Sequence, residues 1–399
     1  MNATYNKALT KKHPLVLHVV AAGEFGGAEA QILALIKGLQ KKERVQVAVA
    51  TYYEGRFTQA VREVGIATHV LQSRQPLSDV RALRELAQTL RPDLIHTHGV
   101  RASLAGRLTG SALRIPVVTT VHSDLFYDYA PPKRALMMQL EARTRHLSRR
   151  VIAVSDALKA VLVRRGYKSG QLIVVRNALE IEEAHKKLEE ANLHPLDLRK
   201  HLHISEKTPL LLCVARLHPV KRHDFLLRAF AKAVFDLHVD AHLVIAGDGP
   251  ERANLEALAQ ELGLLCQETD TKQALSRVHF LGVRQDIYAL LREVDAVALT
   301  SQMEGLPIAP LEAMFAGRPV IATRVGGLSE IIEEGDAATG LLIPFGHVDL
   351  LAQAIARLLR DRALCARLGE NGKRRVLTHF TASQMVDRVQ NVYLELVKS

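Results

Sequence analysis

The stretch Val294–Gly327, VDAVALTSQMEGLPIAPLEAMFAGRPVIATRVGG, constrains the fold more than any other part of the chain. Its apolar run Ala296, Val297, Ala298, Leu299 reads as a buried parallel strand. The pattern breaks from Thr300 to Pro307, resumes as a small-residue helix, and ends in a second apolar strand, Val320 to Ala322. Proline lacks an N–H and is tolerated only in the first helical turn, so Pro307 and Pro310 put the helix start between them. A strand, loop, helix and strand in that order imply a parallel sheet with crossover helices.

The same alternation runs through the chain from Leu15. Strand-like runs in the first half are Leu15–Ala21, Val45–Thr51, Asp93–Thr97, Val117–His122, Val151–Ser155 and Leu172–Arg176, with amphipathic helices such as Ala30–Leu39, Val80–Leu90 and Arg134–Leu147. A second series has strands Leu210–Ala215, His242–Ala246, Val278–Leu281, Ala296–Thr300, Val320–Ala322 and Gly340–Ile343. Its helices include Asp224–Phe235, Arg252–Leu262, Ile287–Glu293 and Leu350–Leu359. The expected architecture is α/β: two Rossmann-like, doubly wound parallel-sheet domains facing a cleft. Residues 1–178 form an N-terminal Rossmann-like domain, 179–207 a charged, partly helical linker region, and 208–381 a C-terminal Rossmann-like domain. A last helix, 382–399, packs back on the first domain.

Composition excludes several classes. The chain has 399 residues, 48% apolar and 24% charged, and no apolar run of membrane-spanning length. Its start, MNATYNKALTKKHP, lacks the apolar core of a signal peptide, which points to a cytoplasmic protein. Cys213, Cys266 and Cys365 are widely spaced, supporting neither a disulfide scaffold nor a zinc site. The net charge of +11 gathers in clusters such as Lys11-Lys12, Lys41-Lys42, Arg149-Arg150 and Arg164-Arg165, mostly before residue 170. That surplus suits peripheral contact with anionic lipids of the inner membrane face, or simple solubility. With no Trp and 5% aromatics, stacking platforms for nucleic acid are missing.

Candidate site residues gather at strand ends, where open α/β sheets bind ligands. Glu304 and Glu312 stand at E-x7-E spacing around a helix start, with Gly305 and Leu306 directly after the first. Carboxylates there suit paired sugar hydroxyls, and the helix N-terminus favours phosphate. The competing reading is first-turn acids that complement the helix dipole. Gly26-Gly27 opens a helix directly after a strand; with Gly23 it does not form G-x-G-x-x-G, which disfavours a nicotinamide enzyme. Arg216 ends a strand and Lys221 follows a proline turn, a guanidinium and an ammonium of the kind a diphosphate leaving group requires. Gly247 and Gly249 end the next strand, where backbone is open to approach.

In order along the chain come GGAE (Gly26–Glu29), HTHG (His96–Gly99), TVHSD (Thr120–Asp124), IAVSDALK (Ile152–Lys159), ARLHPVKR (Ala215–Arg222), IAGDGPE (Ile245–Glu251), EGLPIAPLEAMFAGRPVIAT (Glu304–Thr323) and VGGLSEII (Val325–Ile332). Together they resemble the retaining GT-B glycosyltransferases of family GT4. The resemblance implies a hexose-type donor, UDP- or GDP-linked, used as co-substrate without a resident cofactor or metal ion. It also implies a glycan or lipid-linked acceptor in polysaccharide or lipopolysaccharide synthesis. By the same resemblance, Arg216 and Lys221 bind the diphosphate, Glu312 the ribose, and Glu304 the donor sugar. Gly26 and Gly27 close over the phosphates, and His122 places the face from which the acceptor attacks. His96 and His98 read instead as buried, satisfied core histidines. Two departures stand out: Asn177-Ala178-Leu179-Glu180 lacks the usual hinge glycine, and Leu328-Ser329 replaces a common proline beside Gly326, Gly327 and Glu330. Asp124 is the sole first-domain carboxylate to consider as a covalent nucleophile. A sugar-nucleotide epimerase, a phosphorylase on the same scaffold, and a non-catalytic sugar-nucleotide binder remain as alternatives.

Overall fold

A computed structural model describes residues 13–21, 25–73, 75–265 and 276–398; Lys11-Lys12, Gly23 and Cys266 lie outside the described residues. The chain divides into two compact units. One holds residues 1–154, 159–175 and 383–399, the other 155–158 and 176–382.

The first unit is built on a seven-stranded sheet of β1 (Leu15–Val20), β2 (Gln46–Thr51), β3 (Ala67–Val70), β4 (Leu94–His98), β5 (Val117–Val121), β6 (Arg150–Ala153) and β7 (Leu172–Val174), in the order β3-β2-β1-β4-β5-β6-β7. The second has six strands: β8 (Leu210–Val214), β9 (His242–Ala246), β10 (Val278–Gly282), β11 (Ala296–Leu299), β12 (Val320–Thr323) and β13 (Gly340–Ile343). Their order is β10-β9-β8-β11-β12-β13. Every recorded pairing between these strands is parallel. Strand order reverses between β1 and β4 in one sheet and between β8 and β11 in the other, so each unit has the switch point of a doubly wound fold.

The expected strands form, with ends moved by one or two residues. β3 escaped the sequence reading because it is a four-residue edge strand, half-buried throughout, with no continuous apolar run. The helix after β11 begins at Ala309 with Pro310 in its first turn, as proline chemistry requires. Helices Ile181–Leu193 and Leu198–His201 fill much of the charged stretch after Asn177, within the second unit. The helix Ala382–Lys398 buries Met385, Val386, Val389, Val392, Tyr393 and Leu396. An added Cβ at Gly38 would sit 2.4 Å from Val386, so that contact needs a glycine in the helix Gly27–Lys42.

Burial on both sheet faces explains the near-continuous apolar strands. In the second unit Leu211, Cys213, Leu243, Ile245, Ala296 and Ala298 join helix residues Phe225, Phe230, Leu351 and Ile355 in one core. A charge is also sunk in the first unit. Arg107 is fully buried and donates through both terminal nitrogens to Glu141 at 2.8 and 3.2 Å, and through Nε to Ser148 Oγ at 2.8 Å. It ties the helix Val100–Leu113 to the helix Pro131–Thr144. Removing one partner of a buried pair strands the other charge, so Arg107→Met should lower unfolding free energy by about 3–5 kcal/mol. Urea unfolding would measure this, and Glu141→Gln in the same chain should recover part of the loss.

Candidate active site

In the second unit two strand-end loops meet across the switch point. After β8 the chain turns through Ala215–His218 into a single 3₁₀ turn, Pro219–Lys221, and then enters the helix His223–Phe235. After β11 it runs through Thr300–Ile308. Thr300 Oγ1 donates to the Arg222 carbonyl at 3.0 Å, and the Gln302 N–H donates to the Val220 carbonyl at 2.8 Å, so the loops are stitched by backbone. Thr323 Oγ1, on β12, donates to the Ser301 carbonyl at 2.6 Å.

On that frame Lys221 Nζ donates to Glu304 Oε1 at 2.6 Å, and Ser301 Oγ donates to the same oxygen at 2.6 Å. Glu304 is 8% exposed and the Lys221 side chain 21%, so this is a half-sheltered ion pair with one face open. Arg216 is exposed, and its guanidinium has no ion pair or hydrogen bond among the described residues. Beneath the charges, Cys213 is buried, which pushes its thiol up to about 12 and leaves it an inert core residue.

Glycines let the neighbouring backbones close in. Gly247 and Gly249 adopt φ of 155° and 157°, and a Cβ on them would fall 1.9 Å from the Ala215 carbonyl oxygen and 2.4 Å from that of Leu217. The Leu217 N–H donates to the Asp248 carbonyl at 2.9 Å, so the loop bearing Arg216 leans on AGDGPE. Gly326 and Gly327 press likewise on the backbone of Glu304 and Gly305, with Cβ clearances of 1.9 and 2.0 Å. Gly305 and Leu306 are buried, and the Leu306 carbonyl accepts from Asn177 Nδ2 at 2.7 Å.

Glu312 sits in the first turn of the helix Ala309–Phe315, half-buried and with no side-chain hydrogen bond among the described residues. Burial raises its carboxyl to about 7, with Lys187 pulling the other way. Lys221 and Glu304 therefore come together in direct contact, whereas no hydrogen bond or ion pair among the described residues joins Glu312 to either.

Both departures noted in the sequence have structural outcomes. Ala178 is buried and does not carry positive φ, so no glycine is needed there. Glu330 accepts from the Ala157 N–H at 2.9 Å and from Arg176 Nε at 2.9 Å, an anchoring role that the missing proline leaves untouched.

In the first unit Gly26 caps the helix Gly27–Lys42, its N–H donating to Glu29 Oε2 at 3.0 Å; Gly26 and Gly27 are both exposed. His122 follows β5, with Nε2 facing His98 Nδ1 at 3.3 Å and Nδ1 buried without a partner among the described residues. Burial lowers its imidazole to about 4, so it is neutral at physiological pH. Asp124 caps the short helix Leu125–Asp128 by accepting from the Phe126 N–H at 2.9 Å, and it pairs with Arg165. Both contacts fall on Oδ1 and tie the carboxylate to the helix start and to a cation. Ser301 carries no signal in the sequence, and neither do the partners of Thr300 and Asn177; short polar residues near strand ends say little until the pairing strand is known.

Each unit carries Lys, Arg, Glu or His side chains on the strand ends beside its sheet reversal, and the two doubly wound units are those of the GT-B fold. The chain matches the family Glycosyltransferase Family 4 over residues 25–183 and Glycosyl transferases group 1 over residues 196–375. It is 30% identical to N-acetyl-alpha-D-glucosaminyl L-malate synthase of Bacillus anthracis over 79% of this chain and 78% of that one. It is 26% identical to UDP-Gal:alpha-D-GlcNAc-diphosphoundecaprenol alpha-1,3-galactosyltransferase of Escherichia coli, over 80% and 81%. The crystal structure of Anabaena HepE with UDP-glucose has a similar fold, with a TM-score of 0.79, 24% identity and 96% and 100% coverage. The chain belongs to the group 1, family 4 glycosyltransferases, and it is a transferase enzyme.

The glycine contacts give a test of the frame. Gly326→Ala places a methyl against the Glu304 carbonyl at a residue with φ of 50°, so stability should fall by about 2 kcal/mol or more. A thermal-unfolding shift of several degrees is expected, and an unchanged midpoint would show that the loop yields freely.

Proposed function

We propose that this enzyme transfers a hexose-type sugar, with retention of anomeric configuration, from a UDP-sugar to a glycan or lipid-linked saccharide of the cell envelope. The observation that carries the reading is the Lys221–Glu304 pair, open on one face, with uncommitted Arg216 on the same loop as Lys221. Arg216 and Lys221 take the diphosphate and stabilise the charge that grows as it leaves, without a metal ion. Glu304, held by Ser301, receives hydroxyls of the donor sugar; Glu312 receives those of the ribose; Gly247 and Gly249 border the nucleotide. Gly26 and Gly27 serve the phosphates, and His122 the reacting face of the sugar. The acceptor hydroxyl attacks from the face that the diphosphate leaves, a course that needs no protein nucleophile. The UDP preference draws support from the donors in the names of the Escherichia coli relative and the Anabaena structure; GDP-sugars are the alternative donor class.

Lys221→Ala should lower transfer about a hundred- to a thousand-fold, while Ser301 still holds Glu304 and the fold survives. Turnover near that of the unaltered enzyme would overturn the site assignment. Glu312 adds a pH signature. Its carboxyl, near 7 in the free protein, accepts two hydroxyls best when ionised. Donor affinity should rise through pH 6–7 by up to about tenfold per unit and level off above, and Glu312→Gln should flatten that profile in calorimetric titrations.

The lipid-linked acceptor is supported by the first unit's surface. The helix Pro131–Thr144 buries only Thr144 and exposes Leu136 and Met138 among Lys133, Arg134 and Arg143. Leu136 lies three residues from Lys133 and seven from Arg143, which puts one apolar and two cationic side chains on the same helix face, a combination that can meet an anionic bilayer. Among the described residues no helix is long and apolar enough to cross a membrane. Cosedimentation with phosphatidylglycerol vesicles should be lost at high salt and weakened in Leu136→Glu; failure to sediment with these vesicles at low salt would argue against a membrane-borne acceptor.

A further inference from the structure

The first sheet buries an unusual polar array at its switch point. His18 lies on β1, His96 and His98 on β4, Thr120 at the end of β5, and Tyr393 on the helix Ala382–Lys398; all are buried. Their contacts form one unbranched chain. Thr120 Oγ1 faces His96 Nε2 at 2.7 Å, His96 Nδ1 faces the Tyr393 hydroxyl at 2.5 Å, and that hydroxyl faces His18 Nε2 at 3.4 Å. His18 Nδ1 then faces His98 Nε2 at 3.2 Å, and His98 Nδ1 faces His122 Nε2 at 3.3 Å. The nitrogens of His18, His96 and His98 are close enough to suggest a metal site, within 4.8 Å of one another. Each is already engaged by a protein group, and no carboxylate joins the cluster among the described residues.

Desolvation holds all four imidazoles below their usual value, His18 to about 3 and His122 to about 4, so all are neutral. A neutral imidazole has one N–H and one lone pair, and a hydroxyl has one proton to give. Every link needs one donor, so one choice of direction orders the entire chain. Among the described residues the Thr120 hydroxyl bonds to His96 alone, and either direction leaves one proton of the chain unbonded; donation by Thr120 keeps its own proton in a bond and moves the unbonded one to the far end, where a ligand can meet it. Thr120 then gives to His96 Nε2, His96 Nδ1–H to Tyr393, Tyr393 to His18 Nε2, His18 Nδ1–H to His98 Nε2, and His98 Nδ1–H to His122 Nε2. The last ring is left with its proton on Nδ1, the buried atom that has no protein partner.

We infer that Thr120, His96, Tyr393, His18 and His98 are positioning residues that fix His122 as the neutral Nδ1–H tautomer, making it a hydrogen-bond donor to a substrate oxygen rather than a base. The substrate part rests on the proposed transfer reaction; the tautomer does not.

The test uses the full-length enzyme with ¹⁵N-histidine, read by long-range ¹H–¹⁵N correlation, with His122→Gln to assign the signal among the 18 histidines. His122 should show a protonated Nδ1 and an unprotonated Nε2. Tyr393→Phe cuts the chain in the middle and should raise the Nε2–H form to about half, because either direction then satisfies the remaining links. It should also lower kcat for transfer about tenfold with KM for the donor unchanged. If Tyr393→Phe does not fold, Thr120→Val removes the directing hydroxyl at equal volume and should scramble the tautomer in the same way. Val389→Ala, a packing loss on the same helix, should leave the tautomer alone. An Nε2–H His122 in the unaltered enzyme, or a tautomer indifferent to both cuts, would overturn the inference. If no sugar nucleotide is turned over at all, the reaction reading fails while the spectra still decide the network.

Discussion

The Lys221–Glu304 pair sets the terms for the second unit. A lysine and a glutamate drawn out of bulk water cost free energy that their attraction only partly returns, so the pair persists because the loops leave it little choice. β8 and β11 lie side by side, with Ala296 opposite Leu211, and their strand-end loops cross-link through Thr300 and Gln302. Ser301 satisfies a further lone pair of Glu304. The result is a carboxylate held in place before any ligand arrives and an ammonium that can exchange one anionic partner for another. Such fixed charges give an electrostatic site most of its effect, since nothing has to reorganise when charge develops.

That arrangement depends on close backbone approach, which is why the glycines cluster where they do. Gly247 and Gly249 hold the Arg216 loop, and Gly326 and Gly327 hold the Glu304 loop. Four carbonyl contacts thus brace both sides of the switch point. A side chain at any of these positions would push against the backbone of a loop that carries a charged residue, Arg216 on one side and Glu304 on the other.

The architecture was legible because parallel strands buried on both faces write themselves as apolar runs, and because prolines mark a helix start without reference to anything distant. Short edge strands such as Ala67–Val70 carry no such signature. Of the candidate site, the residue types at strand ends could be read, but their partnership could not. Glu304 and Lys221 are 83 residues apart and meet only through strand order. The departure at Ala178 was equally opaque in sequence, since whether a glycine matters depends on the sign of φ, and here it is negative. His18 gave no signal at all. A lone histidine in LVLHVV looks like an accident of a core strand, and its meaning comes from Tyr393, 375 residues later.

The two sheets therefore stabilise polar groups at the same topological position by opposite means. At the β8/β11 reversal the groups are charged, their pairing is local to two loops, and one face stays open to solvent. At the β1/β4 reversal burial is complete and every imidazole is forced neutral, so charge cannot supply specificity and proton position must. A chain of neutral donors and acceptors carries directional information over several residues at no electrostatic cost, provided that one end is anchored; Thr120 supplies the anchor. The unpartnered nitrogen at the other end is the expense of that design, tolerable in a protein whose ligand brings the missing acceptor.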